Sequence, residues 1–214
     1  MSTVIAIASL KGGVGKTTIA TNLGACFSAA GIRTILVDLD IQQSAVGWGR
    51  VGTAAGHKIP KVIQLNAEGL DAELPRLKRD ADVIVIDAPP RLEAETKEAM
   101  MDAELVLLPV LPGAFDVWAL SETVAVLAKA RELKPTLRAY VIPNRLDHTT
   151  MSELMSKSLP KLGVPILGAG LGSRVAFREA ALAGAGICEY APGTPAALEM
   201  SSLYRAVVKA AGRN

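Results

Sequence analysis

Residues 9–18 read SLKGGVGKTT, a run whose residue types suit the binding of phosphate. Gly12, Gly13 and Gly15 free the backbone to curl, so that successive N–H groups, Val14 among them, point inward at phosphate oxygens. Lys16 can reach the β and γ phosphates of a nucleotide, and the Thr17 hydroxyl can ligate Mg²⁺. Thr18 continues the contact stretch into the helix that should start here, whose positive end faces the same place. The common form of such a loop is G-x-x-x-x-G-K-[ST]. Gly15, Lys16 and Thr17 supply its end, but Leu10 stands where the first glycine belongs, and an extra lysine, Lys11, follows at once.

Carboxylates recur where magnesium chemistry would use them. Asp38 and Asp40 in ILVDLDIQQSA are two apart, which puts both on one face of an extended chain. Asp38 could hold Mg²⁺ through water, brace a loop lysine, or cap the turn that follows. DVIVIDAPP ends four apolar residues with Asp87, at the end of a strand where a carboxylate can hold a metal's water. Asp82 is at the other end of that strand, on the wrong side of the sheet. VIPNRLD puts Asn144 and Arg145 just past another strand, and an amide with both donor and acceptor suits the N6/N7 edge of adenine.

These groups need a scaffold that brings strand ends together. Apolar β-branched runs at 3–9, 33–40, 61–65, 81–90, 104–112, 138–145 and 164–171 predict strands. Helical patterns at 16–31, 69–80, 92–103, 116–134, 149–163, 173–186 and 195–212 alternate with them, and 44–56 reads as a weak, glycine-broken helix. Alternation of this kind predicts an α/β fold: a doubly wound, mostly parallel sheet in three layers, with helices on both faces. Ligands in such sheets bind at the carboxyl ends of the strands. Half of the 214 residues are hydrophobic and only 4% aromatic, which suits strands buried on both faces. We expect one domain over 1–214, without repeats or linkers. The apolar start MSTVIAIASL lacks a basic lead and a cleavage site, so it reads as a strand and not a signal peptide. No apolar run reaches the length that spans a bilayer. Cys26 and Cys188 lack metal-ligand spacing and read as reduced thiols of a cytoplasmic protein.

The stretch KGGVGKTT resembles the deviant phosphate loop (deviant Walker A) of the ParA/MinD family of ATPases, and the resemblance runs in order along essentially the whole chain. It implies a phosphate-loop NTPase using ATP/ADP and Mg²⁺. Lys11 matches the signature lysine, which in that family reaches across a nucleotide sandwich dimer to the partner's phosphates. A cation supplied in this way stabilises charge on the transferring phosphoryl group, as arginine fingers do. Asp40 matches the aspartate that positions the attacking water beside the metal, although Ile41 replaces the family's usual proline; Gln42 keeps its place. Asp87 falls in the family's hhhhDxPP segment, and Asn144 matches its adenine-binding asparagine.

With a strand beginning near Thr3, no room is expected for an N-terminal DNA-binding domain, which implies the small ParA type. Such proteins form an ATP-dependent homodimer and bind non-specific DNA. They respond to a ParB-like or other adaptor with a basic activating peptide, and they position plasmid, chromosome or protein cargo over the nucleoid. The net charge of +2 decides nothing about DNA, but residues from 141 onward hold eight basic and five acidic side chains. Arg174 and Arg178 are expected one helical turn apart on one face, and Arg205, Lys209 and Arg213 recur every four residues. These stripes form either a phosphate-tracking surface or ordinary solvated helix faces. A MinD-like membrane switch would need a tail helix with bulky apolar residues opposite lysines, whereas SSLYRAVVKAAGRN is rich in Ala and Val, so no membrane partner is expected. A metabolic ATPase of the same fold would need cluster cysteines or substrate-binding insertions, and neither is evident.

Overall fold

A computed structural model describes residues 2–147 and 159–213. Six strands form one all-parallel sheet in the order β3-β2-β4-β1-β5-β6: β1 (Thr3–Ile7), β2 (Thr34–Asp38), β3 (Lys61–Gln64), β4 (Val83–Asp87), β5 (Leu105–Val110) and β6 (Arg138–Pro143). Among the described residues the helices are α1 (Lys16–Ala29), α2 (Ser44–Ala55), α3 (Ala67–Asp80), α4 (Glu93–Asp102), α5 (Ala114–Leu133), α6 (Val175–Leu182), α7 (Ile187–Tyr190) and α8 (Pro195–Ala210). The expected three-layer α/β architecture is thus the observed one.

Alternation along the strands explains the two cores. Val4, Ala6 and Ala8 face a cluster with Leu70, Leu74, Met100 and Leu120 from α3, α4 and α5. Ile5 and Ile7 face the other layer, with Ile19, Leu23 and Phe27 of α1, Trp48 of α2 and Leu203 of α8. Both faces of the central strands are covered, so β1, β4 and β5 are almost wholly apolar until the chain leaves the sheet, whereas the edge strand β3 keeps Lys61 and Gln64 exposed. Register then decides where the acids emerge. Asp87 is level with Ile7 on one side and with Asp38 on the other, so β1, β2 and β4 end at one height.

Three expectations change. The segment 44–56 forms an unbroken helix over Ser44–Ala55, capped by Gly56, because Gly49 and Gly52 serve contact and not flexibility. A Cβ on Gly49 would lie 2.6 Å from Val62, and one on Gly52 would overlap the Gly184 carbonyl. The strand expected over 164–171 is reduced to a single bridge between Ile166 and Val141. Pro165 lacks an N–H for a ladder, and Gly168 and Gly170 offer no side chain to pack. The helix expected over 173–186 is confined to Val175–Leu182, since Gly184 turns the chain with φ 71°. The helix expected over 149–163 lies mostly outside the described residues; Leu159–Leu162 forms a 3₁₀ turn.

Two alanine substitutions in α2 should have opposite signs. Gly47 is exposed with open space around its α carbon, so Gly47→Ala should stabilise by about 0.5–1 kcal/mol through helix propensity. Gly52→Ala should destabilise by about 1–3 kcal/mol, because the added methyl meets backbone. Urea unfolding of the two variants checks this; equal shifts would mean that α2 does not touch the 184 turn.

Candidate active site

The phosphate loop follows β1 and opens α1. Gly13 and Gly15 take left-handed conformations, with φ 77° and 94°. A side chain at Gly15 would also collide with the Asn144 amide. No side chain caps α1 and its first turn has no acid, so the helix start offers bare N–H groups to an anion. Leu10, the residue that breaks the common motif, is held at both ends. Its N–H donates to Thr123 of α5 at 3.1 Å, and its carbonyl accepts from the Arg91 N–H at 2.9 Å. The loop is therefore tied to α5 and to the turn after β4.

Lys16 is only 7% exposed, and its Nζ donates to the Lys11 carbonyl at 3.3 Å. Burial lowers its pKa, against the raising influence of Asp87 and Asp40. Asp87 is buried, and neither of its oxygens has a well-directed hydrogen bond. Burial pushes its pKa up to about 7; the nearby Thr17 hydroxyl opposes this, the Asp38 charge adds to it, and Lys16 opposes it. Among the described residues no cluster of three or more His, Cys, Asp or Glu side chains forms a metal cage. Magnesium held by nucleotide phosphates needs only one or two protein oxygens. Thr17 and the unpartnered Asp87 fit that requirement.

Asp38 is engaged otherwise. One oxygen accepts from the Asp40 N–H at 3.0 Å, and the other from the N–H groups of Ala45 and Val46 at 2.9 and 3.1 Å. Of the three roles open from sequence, the capping contacts are the ones present: Asp38 fastens the β2–α2 loop to the start of α2. Burial raises its pKa although these donors oppose it. Asp40 accepts from the Gln42 N–H at 3.0 Å. Without proline at 41, Ile41 projects into solvent and Gln43 takes a left-handed conformation, φ 54°, before α2.

One pairing is added and one expectation is corrected. The Lys11 Nζ lies 2.8 Å from the Asp116 carboxylate at the start of α5, within its own subunit. Nothing local signals that pair; Asp116 is simply an acid in the first turn of the longest helix. Arg174 and Arg178 do not share a helical face. Arg174 is the extended residue before α6, and its guanidinium is turned to Glu199 of α8, with Nη2 2.7 Å from Oε1. Both arginines line a cleft of about 290 Å³ with Thr18, Asn144, Arg145 and Phe177. Asn144 is buried there and donates to the Val14 carbonyl at 2.7 Å, while Arg145 is exposed in a left-handed conformation. Arg205 and Lys209 are exposed on α8, but Arg213 lies beyond the helix and donates to the Asp82 carbonyl at 2.8 Å. Thr123 and Glu199, which position the loop and Arg174, carried no sequence signal that distinguished them from other helical polar residues.

The raised Asp87 carboxyl gives a pH test. The folded, nucleotide-free protein keeps this proton up to about pH 7, whereas the unfolded chain loses it near its ordinary value of 3.8. Between those limits the folded state binds more protons, so its stability should fall as pH rises. Asp87→Asn should remove that part of the slope and be more stable than the parent at pH 8. Thermal melts of both proteins from pH 5 to 8 check it; parallel curves would exclude a neutral buried Asp87.

Comparison with known proteins agrees with this geometry. Residues 5–187 match the family described as the CobQ/CobB/MinD/ParA nucleotide binding domain. The maintenance of carboxysome distribution protein A of Halothiobacillus neapolitanus is 32% identical over 208 residues, 95% of each chain. The chromosome-partitioning ATPase Soj of Thermus thermophilus is 29% identical over 90% of each chain. The fold is similar to that of the septum site-determining protein MinD complexed with Mg-ADP from Pyrococcus horikoshii, with a TM-score of 0.79 at 24% identity over 99% of this chain and 98% of that one. With its phosphate loop, its uncapped helix start and its buried carboxylates at matching strand ends, the chain belongs to the CobQ/CobB/MinD/ParA nucleotide-binding family.

Proposed function

We propose that the protein is a Mg²⁺-dependent ATPase that dimerises on ATP, binds DNA without sequence preference and positions cargo in the cell. The observation that carries this reading is the second lysine. Lys16 sits inside the site under its own phosphate loop, whereas Lys11 is at the surface of the same loop, held only by a partly exposed ion pair to Asp116. The ammonium end of this pair is open to solvent, and a partner's phosphate would compete for it. The chain's own residues divide the work. The N–H groups of Gly12–Thr18 and the Lys16 ammonium bind and orient the phosphates. Asp40 accepts the attacking water's proton or orients that water, Lys11 enters from the other subunit, and Asn144 with Arg145 borders the base. Magnesium held by Thr17 and, through water, by Asp87 would neutralise charge between the β and γ phosphates.

The resemblance to carboxysome-distribution and chromosome-partitioning proteins supports a cargo role, with plasmid, chromosome or a protein body as cargo and an adaptor with a basic activating peptide as partner. Nucleoid association of the ATP state follows from DNA binding. A membrane-switch reading is disfavoured by α8, which buries Met200, Leu203 and Val207 against the core. Among the described residues no helix is long and apolar enough to cross a membrane. The DNA surface is assigned to Arg178, Arg205 and Lys209, which are exposed; Arg174 is retained by Glu199.

Lys11→Ala should leave ATP binding within a few fold of the parent and abolish hydrolysis and ATP-dependent dimerisation, whereas Lys16→Ala should lose nucleotide binding. Single-turnover assays with sedimentation check this; normal turnover by Lys11→Ala would remove the action in trans. DNA retention with ATP should fall steeply with salt. Arg205→Glu with Lys209→Glu should lower the log–log salt slope by about one unit per lost phosphate contact. No ATP-dependent retention by the parent would exclude the nucleoid reading.

A further inference from the structure

Cys26 and Cys188, the only cysteines of the chain, are 162 positions apart and belong to two different elements. The fold brings their sulfurs to 3.8 Å. Cys26 lies on α1, the helix that starts with Lys16 and Thr17. Cys188 lies on the short α7, and both residues are partly open to solvent. Cys188 Sγ also touches the Ser201 hydroxyl at 3.5 Å and the Ala197 carbonyl at 3.6 Å, both on α8.

The turn that carries Cys188 is seated on both functional helices. The Ile187 N–H donates to Asn22 Oδ1 of α1 at 2.7 Å, and the Ala185 carbonyl accepts from Trp48 Nε1 of α2 at 3.2 Å. A Cβ on Gly186 would lie 2.5 Å from that of Ala25, so the turn and α1 are in direct contact. The two thiols are therefore held as neighbours by contacts on either side of them. A disulfide needs a sulfur separation of about 2.05 Å, and a change of χ1 sweeps a thiol sulfur through more than the remaining gap. The contact also differentiates the pair. The Cys26 thiol and the Ser201 hydroxyl draw Cys188 below the ordinary thiol range, while the Cys188 contact and burial raise Cys26.

We propose that Cys26 and Cys188 form a reversible oxidation site, at which a hydroperoxide converts the two thiols into an intramolecular disulfide that ties the phosphate-loop helix to the 184–188 turn. The Cys188 thiolate attacks one peroxide oxygen, the O–O bond breaks, and the departing hydroxide takes up a proton to leave as water. Cys188 is then a sulfenic acid. The Cys26 sulfur attacks the Cys188 sulfur, the S–O bond breaks, and a second water leaves with the Cys26 proton. Two thiols and one hydrogen peroxide give one disulfide and two waters; the sulfurs are oxidised and the peroxide oxygens reduced. Exchange with an external dithiol reverses the bond.

The site stands apart from the nucleotide reading, so its test needs no nucleotide. The full chain, reduced and freed of reductant, is treated with one equivalent of hydrogen peroxide, blocked with maleimide and mapped without reduction. The expected product is a monomer in which one peptide joins Cys26 to Cys188 and both thiols disappear together. Because the bond closes a long loop, its thermal midpoint should rise by a few degrees, roughly 3 °C or more, and return on adding dithiothreitol. Cys26→Ser should halt at a Cys188 sulfenic acid that dimedone captures, and Cys188→Ser should react far more slowly. Disulfides between chains, independent oxidation of each thiol, or a linked peptide that forms only in denatured protein would overturn the proposal.

Discussion

Lys16, Asp38 and Asp87 are withdrawn from water at one end of the sheet, and their unequal compensation shapes what surrounds them. A buried ionisable group is tolerated when partners replace its hydration. Asp38 has three backbone N–H donors and is structurally complete. Lys16 has one carbonyl at 3.3 Å and two carboxylates at longer range. Asp87 has no well-directed donor and responds by favouring its neutral form. A helix start without a cap points at the same place, so the site is short of ligands of two kinds: an anion for the N–H groups and a cation for Asp87. Phosphate and magnesium together meet both needs, which is why the proposed cofactors suit this chain physically as well as by kinship.

The loops around these groups are mechanically joined. Leu10 links the phosphate loop to Thr123 of α5 and to the Arg91 turn after β4. Asp116, at the start of the same α5, holds Lys11. Asp38 ties the loop after β2 to α2, and α2 in turn rests on the 184 turn through Trp48 and Gly52. A displacement at the phosphate end therefore has packed routes to both faces of the sheet. The pair of Lys11 and Asp116 is the most easily exchanged of these links, because it is partly exposed and lacks the backbone hydrogen bonds that fix Asp38.

The C-terminal elements close the cleft and serve as support. Glu199 of α8 holds both the Gly172 N–H and the Arg174 guanidinium, which sets one wall of the cleft beside Asn144. Arg213, through the Asp82 carbonyl, and Arg138, through the Ala210 carbonyl, fasten the end of α8 to the amino ends of β4 and β6. Arg178, Arg205 and Lys209 are exposed and take no part in these bonds.

Most of the scaffold and the phosphate loop were legible in the sequence because their causes are local. Strand and helix periods recur within a few residues, and the loop's glycines, Lys16 and Thr17 are contiguous. Asp87 was legible because an apolar strand ending in an acid can put that acid at only one edge of a parallel sheet. Local causes also misled: the glycines of α2 read as helix breakers, whereas Gly49 and Gly52 admit Val62 and the Gly184 backbone. What only the tertiary structure decided are pairings between residues far apart in the chain. Lys11 meets Asp116, Arg174 turns to Glu199, and Cys26 comes to rest beside Cys188. Lys11 and Arg174 each have many acids in the sequence to choose from, and two cysteines 162 positions apart need not meet at all. The choice among them is made by strand order and helix packing, which no spacing along the chain encodes.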